Sequence, residues 1–403
     1  MKKIAILTAT RAEYGLLKSV IKKLIERKEV DVRVLVTGMH LSPEFGMTVK
    51  EIEDDGIPID KKIEILLSSD SSVAVSKAMG LALISFSEYF EETSPDALMV
   101  LGDRYETLAV CMAAMNARIP IIHIHGGETT EGAIDEAIRH SITKMSNLHF
   151  TSTEIYRRRV IQLGENPRNV FNVGALGVEN ALNTELYSKD EFKEKYGISL
   201  NQKYAIGTFH PVTLENDSAE YQINELINAI SKYPDIQFIF TKANADECGR
   251  IINEKLKQAH ESRSNIFLVD SLGMKGYLSA ISNAMFVIGN SSSGLVEAPA
   301  FHIPTINIGD RQKGRIQGKT VINCEPREKQ ICEAIEKATN EEFVTQISSA
   351  QNPYGKGETS NTIVDITTDF LVNNRFDIKK KFYDLTFEVK HEQHSNYSSK
   401  KWL

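Results

Sequence analysis

At 403 residues the chain is long enough for two domains, each burying its own core, at roughly 100 to 200 residues per domain. Hydrophobic residues are 41% and charged residues 25% of the total, proportions of a folded globular protein and not of a disordered one. Lys and Arg number 47 against 54 Asp and Glu, a net charge of -7, so neither nucleic acid nor an anionic membrane, both of which recruit cations, is expected as a partner.

The chain opens on a strand predicted over 3–7, whose apolar run stops at Thr8 with Arg11 close behind. That leaves no room for a signal-peptide core, so export is not expected. Strands over 31–36, 97–101, 120–125 and 148–151 follow, with helical periodicity near 13–27, 73–92, 105–116 and 135–145 between them. Strands alternating with helices build a parallel sheet covered on both faces, so the class is α/β. The apolar runs at 97–101 and 119–124 are far short of the roughly 20 residues of a membrane span, and no transmembrane helix is expected.

After a polar stretch at 186–202 the pattern restarts. Strands are predicted over 204–208, 237–240, 266–269, 285–288 and 305–308, giving a second α/β lobe. The expected boundaries are 1–172 for the first lobe, 173–360 for the second, 361–390 for a returning helical region and 391–403 for a disordered tail. The last helix, over 361–372, carries apolar residues at Ile363, Val364, Ile366, Phe370 and Leu371. Cys111, Cys248, Cys324 and Cys332 are scattered with no Cys-x-x-Cys pair, which points away from disulfides and zinc and towards a reducing cytoplasm.

Ligands of such sheets bind beyond the carboxyl ends of the strands, so the residues that follow each strand are the candidates. The first strand runs into Thr8-Ala9-Thr10-Arg11-Ala12-Glu13-Tyr14, which has neither the Gly-x-Gly-x-x-Gly of a dinucleotide site nor a P-loop. Arg11 is either a contact for a diphosphate or an exposed helix-start arginine. Gly102-Asp103-Arg104 follows a later strand, Asp103 being a candidate acid/base group or a helix cap. His123-Ile124-His125-Gly126-Gly127-Glu128, then Asp135-Glu136 and Arg139-His140, crowd titratable groups together. Alternation would set His123 and His125 on one side of a strand, so a metal pair with Glu128 or Asp135 is one reading. The preferred reading is a metal-free acid/base cluster whose crowded carboxylates have raised pKa values.

In the second lobe, His210 of Phe209-His210-Pro211 follows a strand. The sharpest feature is Gly289-Asn290-Ser291-Ser292-Ser293-Gly294-Leu295-Val296-Glu297, a strand-to-helix turn able to cradle phosphate on backbone N–H groups and hydroxyls; ordinary serine capping is the plainer alternative. Glu297 could accept from ribose hydroxyls. Arg311, Lys313 and Arg315 follow the last strong strand, and some of these cations are expected to be merely solvated.

These segments, together with Val36-Thr37-Gly38-Met39-His40 and Arg139-His140-Ser141-Ile142-Thr143-Lys144-Met145, resemble the UDP-N-acetylglucosamine 2-epimerase family over almost the whole chain, in particular its hydrolysing branch. The resemblance implies a GT-B architecture of two Rossmann-like lobes, with UDP held mainly by the second, and neither metal nor nicotinamide as cofactor. Asp103, Asp135, Glu136 and His210 match the family's catalytic positions. Arg11, Ser291, Ser292, Glu297 and Arg311 match positions that hold the nucleotide, and His40, His125, Ser293 and Gly294 are carried along as substrate contacts. At His125 many relatives have glutamate, so Glu128 is expected to supply the carboxylate. The implied reaction releases UDP by elimination to a 2-acetamidoglucal and hydrates it with inversion at the 2-carbon, the first step of sialic acid synthesis. The implied assembly is a homodimer or a dimer of dimers.

Overall fold

A computed structural model of the chain describes residues 1–67, 69, 71–129, 134–211, 219–243 and 249–386. Cys248 and the tail expected over 391–403 lie outside the described residues. The first sheet contains β1 (Lys2–Thr8), β2 (Val30–Thr37), β3 (Ile59–Ile63), β4 (Ala97–Leu101), β5 (Ile121–Ile124), β6 (Leu148–Thr151) and β7 (Val170–Asn172), in the order β3-β2-β1-β4-β5-β6-β7, with every pairing parallel. The second contains β8 (Tyr204–Thr208), β9 (Gln237–Thr241), β10 (Ile266–Val269), β11 (Val287–Gly289), β12 (Thr305–Ile308) and β13 (Val321–Cys324), in the order β10-β9-β8-β11-β12-β13. The two lobes thus share one strand order, the doubly wound pattern of a GT-B protein.

The central strands are apolar on both faces because helices cover both. Ile4, Ala5, Ile6, Leu98, Met99 and Val100 are fully buried, as are Ala205, Ile206, Phe238 and Ile239. The edge strand β10 is apolar enough to be predicted over 266–269, but charged or very short edge strands escape sequence reading. In β3 the sequence Ile59-Asp60-Lys61-Lys62-Ile63 has charges where a core strand has apolar residues, as an unpaired edge demands, while β7 has three residues. The polar stretch at 186–202 hides a helix, Lys189–Tyr196, begun by a Ser188/Glu191 capping box and ended by Gly197 at φ 72°.

The helix Ser72–Thr93 is long and apolar enough to cross a membrane by length and composition alone. Ser76, Lys77, Ser85 and Ser87 interrupt its apolar residues, so no continuous run marks it in the sequence. It lies against the helix Tyr105–Asn116, with Ala78, Ala82, Phe86 and Phe90 buried.

The chain leaves the first lobe after β7 and returns at 353–357, and the two passages touch. Ala175 N donates to Tyr354 O at 2.7 Å, and Gly174 (φ 84°) lies so near Gly355 (φ 117°) that a Cβ on Gly355 would sit 3.1 Å from Gly174 Cα. Only glycine combines those φ values with that approach. The helix Thr359–Val372 then inserts Ile363, Val364, Phe370 and Leu371 beside Leu17, Ile21 and Leu24 in the core of the first lobe.

Candidate active site

In each sheet the strand order reverses once, between β1 and β4 and between β8 and β11. Helices there depart to opposite faces and leave a crevice at the carboxyl ends. Four loops line these crevices: 9–14, 102–106, 209–211 and 290–294. Two arginines span from lobe to lobe. Arg11 Nη2 donates to Ser271 Oγ at 2.8 Å, and Arg315 Nε donates to Thr129 O at 3.2 Å.

The first-lobe cluster is organised by Arg139, which is 3% exposed. Its guanidinium pairs with Asp103, donates to the His125 carbonyl at 3.1 Å and stands 3.8 Å from Glu128. Glu128 also accepts from Ser152 Oγ at 2.7 Å, with Arg315 at 3.9 Å and His125 Nδ1 at 3.9 Å. Burial pushes the Asp103 carboxyl above the usual range against the pull of Arg139. Burial acts on Glu128 in the same sense, but His125, Arg315 and Arg139 outweigh it and hold that carboxyl low. Two neighbouring carboxylates are therefore driven apart, one able to exchange a proton and one kept ionised. Asp135 opens the helix Asp135–Met145, and its charge helps to raise Asp103. One residue on, Glu136 accepts from Thr129 Oγ1 at 3.0 Å and lies 3.2 Å from His140 Nε2.

Burial lowers the pKa of His125 against the pull of Glu128, and its Nε2 is buried without a protein partner. Its φ of 66° is left-handed, a conformation that a non-glycine residue holds only under tertiary constraint. The constraint is visible: Arg139 holds its carbonyl, and Arg159 Nη1 donates to Gly127 O at 2.8 Å.

Beneath the loop after β1, the Glu13 carboxylate accepts from the N–H groups of Ala9 and Thr10, both at 2.9 Å. Burial pushes it up to about 7. A carboxyl with a raised folded pKa binds its proton more tightly folded than unfolded, so its contribution to stability is present at low pH and is lost as pH rises from about 4.5 to about 7. Glu13→Gln keeps an acceptor and removes the titration. Its stability relative to the parent, measured by urea unfolding, is expected to improve by about 3 kcal/mol between pH 4.5 and pH 8; a pH-independent difference would contradict this.

His40, carried along as a substrate contact, is fully buried under the same loop. Its ring nitrogens meet Thr8 Oγ1 at 2.9 Å and Thr48 Oγ1 at 2.8 Å, and burial lowers its pKa to about 4. It therefore supports the loop from below rather than lining the crevice. His123 does not join His125 as a ligand pair. Its Nε2–H donates to Gly102 O at 2.8 Å and its Nδ1 faces Thr143 Oγ1 at 3.2 Å, so both nitrogens are used in tying β5 to the Asp103 turn. Among the described residues no group of three His, Cys, Asp or Glu could hold a metal ion.

In the second lobe Asn290 joins the ends of β8 and β11. Its side chain accepts from His210 N and donates to His210 O, both at 2.7 Å. Its carbonyl accepts from Arg311 Nη1 at 3.1 Å and from Gln312 Nε2 at 2.9 Å. His210 is 7% exposed, with Nδ1 free of protein partners, and burial beside Arg311 lowers its pKa to about 3. Ser293 Oγ and Tyr277 Oη are likewise buried, with Ser293 between Tyr277 and Glu297.

The serine turn does not open a long helix. Ser293–Val296 has four residues, and Ser292 makes no side-chain cap bond; the short 3-10 helix Ala298–Phe301, with Pro299 in it, follows. The N–H groups of Gly294 and Leu295 turn onto the carbonyls of Ser291 and Ser292. The expected helix dipole is therefore small; what the turn presents is hydroxyls, with the Arg311 guanidinium held beside them on the Asn290 carbonyl. Glu297, raised to about 7 mainly by desolvation, lies over Gly177, where a Cβ would approach its Oε1 to 2.3 Å.

Two residues that organise the site were named in the sequence, Arg139 in the titratable cluster and Arg315 in the basic run, but were given no role. Arg139 lies three residues after Glu136 and four after Asp135, the spacing of one helix face, which was a signal available to be read. Arg315 sits in a basic run that reads equally well as solvated, as Lys313 is, at 64% side-chain exposure.

A statistical description of the UDP-N-acetylglucosamine 2-epimerase family matches residues 22–368, and the chain belongs to that family. Within it, the relatives place the chain with the hydrolysing branch. It is 44% identical over 386 residues to the polysialic acid biosynthesis protein P7 of Escherichia coli, covering 96% of this chain and 98% of that one. It is 43% identical over 347 residues to the hydrolysing GDP/UDP-N,N'-diacetylbacillosamine 2-epimerase of Campylobacter jejuni, covering 85% and 88%. Among solved structures, S. aureus MnaA in complex with UDP superposes with a TM-score of 0.79 at 20% identity, covering 96% of this chain and all of that one.

Proposed function

We propose that the protein is a hydrolysing 2-epimerase that converts UDP-N-acetylglucosamine and water into N-acetylmannosamine and UDP, the opening step of sialic acid synthesis in the cytoplasm. The observation that carries the reading is the pair of opposed carboxyl environments around Arg139, Asp103 raised and Glu128 lowered, facing a second lobe whose His210, Ser293 and Arg311 line a crevice suited to a diphosphate. The proton on the 2-carbon of the sugar is weakly acidic, so UDP leaves the anomeric carbon, with oxocarbenium character building there, as a base takes that proton. Asp103 takes it up, and the carbon–oxygen bond electrons depart with UDP onto Arg11, Arg311 and the hydroxyl donors. Glu128, remaining ionised, stabilises the positive charge at the anomeric carbon. Water then adds to the glycal: hydroxide equivalent to the anomeric carbon, and a proton to the 2-carbon from the opposite face. Asp135 and Glu136, with His140 at hand, serve this second proton transfer.

The test is proton NMR in deuterated water with UDP-N-acetylglucosamine and neither acceptor nor metal. UDP appearing together with N-acetylmannosamine deuterated at the 2-carbon is the expected result. UDP-sugar that is bound but never consumed would defeat the reading in favour of a binding protein, and consumption only with an acceptor would make the chain a transferase. A second substrate is favoured by one observation, the 43% identity to the diacetylbacillosamine enzyme. Turnover of UDP-2,4-diacetamido-2,4,6-trideoxyglucose in preference to UDP-N-acetylglucosamine would move the enzyme to the legionaminic acid route.

We also propose that the active species is a homodimer or a dimer of dimers. Leu81 and Ile84 on the helix Ser72–Thr93, and Met112 and Met115 on its neighbour, are 41%, 61%, 39% and 49% exposed; apolar side chains exposed on two helices packed together favour a protein interface. Leu81→Glu combined with Ile84→Glu is expected to reduce the mass seen by light scattering to that of one chain. An unchanged mass would locate the interface elsewhere.

A further inference from the structure

We propose that the segment after the last helix is a strap that positions the active-site helix, with Lys380 as its anchor. The inference rests on the reading of Asp135–Met145 as the helix that presents Asp135, Glu136 and Arg139 to the substrate. That helix has no side-chain cap at its N-terminus, where Ile134 occupies the cap position. Its C-terminal end, by contrast, is held from outside. Lys380 Nζ donates to the carbonyls of Lys144 at 2.7 Å, Ser146 at 2.5 Å and Thr143 at 3.5 Å. These carbonyls stand at the helix end, where intrahelical partners run out, although Thr143 O also accepts from Ser146 N at 3.1 Å, and a cation there complements the helix dipole.

The same ammonium stands 2.7 Å from Glu165 Oε2. Glu165 is 2% exposed, and its other oxygen pairs with Lys144 at 2.6 Å, while His149 Nε2 lies 3.0 Å from Oε2. One buried carboxylate thus ties the strap to the last turn of the helix and to β6. Further contacts fix the path of the strap. Asn147 Nδ2 donates to Asp377 O at 3.1 Å, and Tyr383 N donates to Gly164 O at 2.9 Å. The Phe382 ring lies on Gly164, where a Cβ would come within 2.3 Å of it, and Lys144 Nζ stands 5.0 Å from the centre of that ring.

At its start the strap packs Phe376 against Phe370 at the edge of the first-lobe core. Beyond that residue Ile378 and Phe382 are 58% and 63% exposed and bury little, whereas Lys380 is driven down onto the helix end. A segment retained for hydrophobic stability would do the reverse. An α-helix of 11 residues behaves as a rod of about 16 Å, so fixing its C-terminal end sets where Asp135 and Glu136 stand at the other end, and where Arg139, midway along it, holds Asp103 and Glu128. Lys380 is a positioning residue; it touches no reacting atom.

The test uses the full chain with Lys380→Met and Lys380→Arg. A displacement of about 1 Å at reacting groups costs on the order of a hundredfold in rate. Lys380→Met is therefore expected to lower kcat by at least about tenfold while KM and the affinity for UDP, held mainly by the other lobe, stay within about twofold, as no UDP contact is altered. Lys380→Arg restores most of kcat. Amide hydrogen exchange over 140–146 is expected to accelerate in Lys380→Met and to recover in Lys380→Arg. If Lys380→Met turns over like the parent, with or without a lowered melting temperature, the strap is structural only and the proposal falls. Should Lys380→Met fail to fold, Phe382→Ala, which loosens the strap and leaves the buried charges paired, must show the same loss in kcat alone. If the parent itself consumes neither UDP-sugar, the functional reading has failed, and the strap is judged by exchange: unaltered protection over 140–146 in Lys380→Met overturns it.

Discussion

Asp103→Asn is expected to reduce turnover by about a hundred- to ten-thousandfold, the range that a positioned acid or base supplies, while UDP binds as before. The substitution is nearly isosteric and leaves Arg139 with Glu128 and the His125 carbonyl, so the melting temperature should move little. The pH profile gives a second readout. A base works only when deprotonated, so the rate falls as pH drops through its pKa; because burial raises Asp103 above the ordinary aspartate value, the acid limb of kcat is expected above that value and should disappear from the residual activity of the variant. Near-normal turnover, or an unchanged acid limb, would remove Asp103 from the chemistry.

Gly289→Ala is expected to be the most damaging small substitution in the second lobe. Gly289 has φ 135°, and an added Cβ would lie 2.1 Å from Thr208 O and 2.9 Å from Thr208 C. Both atoms are main chain of β8, paired to β11 at this very residue, and cannot rotate away as a side chain would. Either β11 shifts or the strand pair opens, at a cost of at least about 3 kcal/mol. The next residue, Asn290, holds His210, Arg311 and Gln312, so UDP affinity is expected to fall with stability. Urea unfolding and UDP calorimetry on the same preparation would check both, and a variant with the parent's midpoint and affinity would refute the argument.

The strands that could be read from the sequence were those buried on both faces, since such strands must be apolar throughout; β1, β4 and β8 are of this kind. The apolar edge strand β10 could be read as well; what the sequence concealed was charged or very short edge strands and surface structure. The charges of β3 suit an edge, and the helix Lys189–Tyr196 has Phe192 as its buried residue, too little for a periodic signal. At the site, the carboxylates and His210 could be found because they follow strands directly. Arg139 and Arg315 could not be weighed in the same way, because a buried arginine and a solvated one look alike until the chain folds. His40 erred in the other direction: it stands in a suggestive motif, but its ring is consumed by Thr8 and Thr48.

The helix Thr359–Val372 has a consequence for the order in which the molecule can be completed. Ile363, Val364, Phe370 and Leu371 belong to the core of the first lobe, each side chain contributing on the order of 1.5–3 kcal/mol by burial, yet they leave the ribosome after the whole second lobe. The half that is synthesised first is thus the last to close. Until then Leu17, Ile21 and Leu24 lack their covering helix, and the nascent first lobe carries an apolar seam of the kind that chaperones recognise. The second lobe draws all of its strands from Tyr204–Cys324 and can finish earlier, so a polypeptide stalled just short of Thr359 would consist of one mature lobe and one still waiting for its seal.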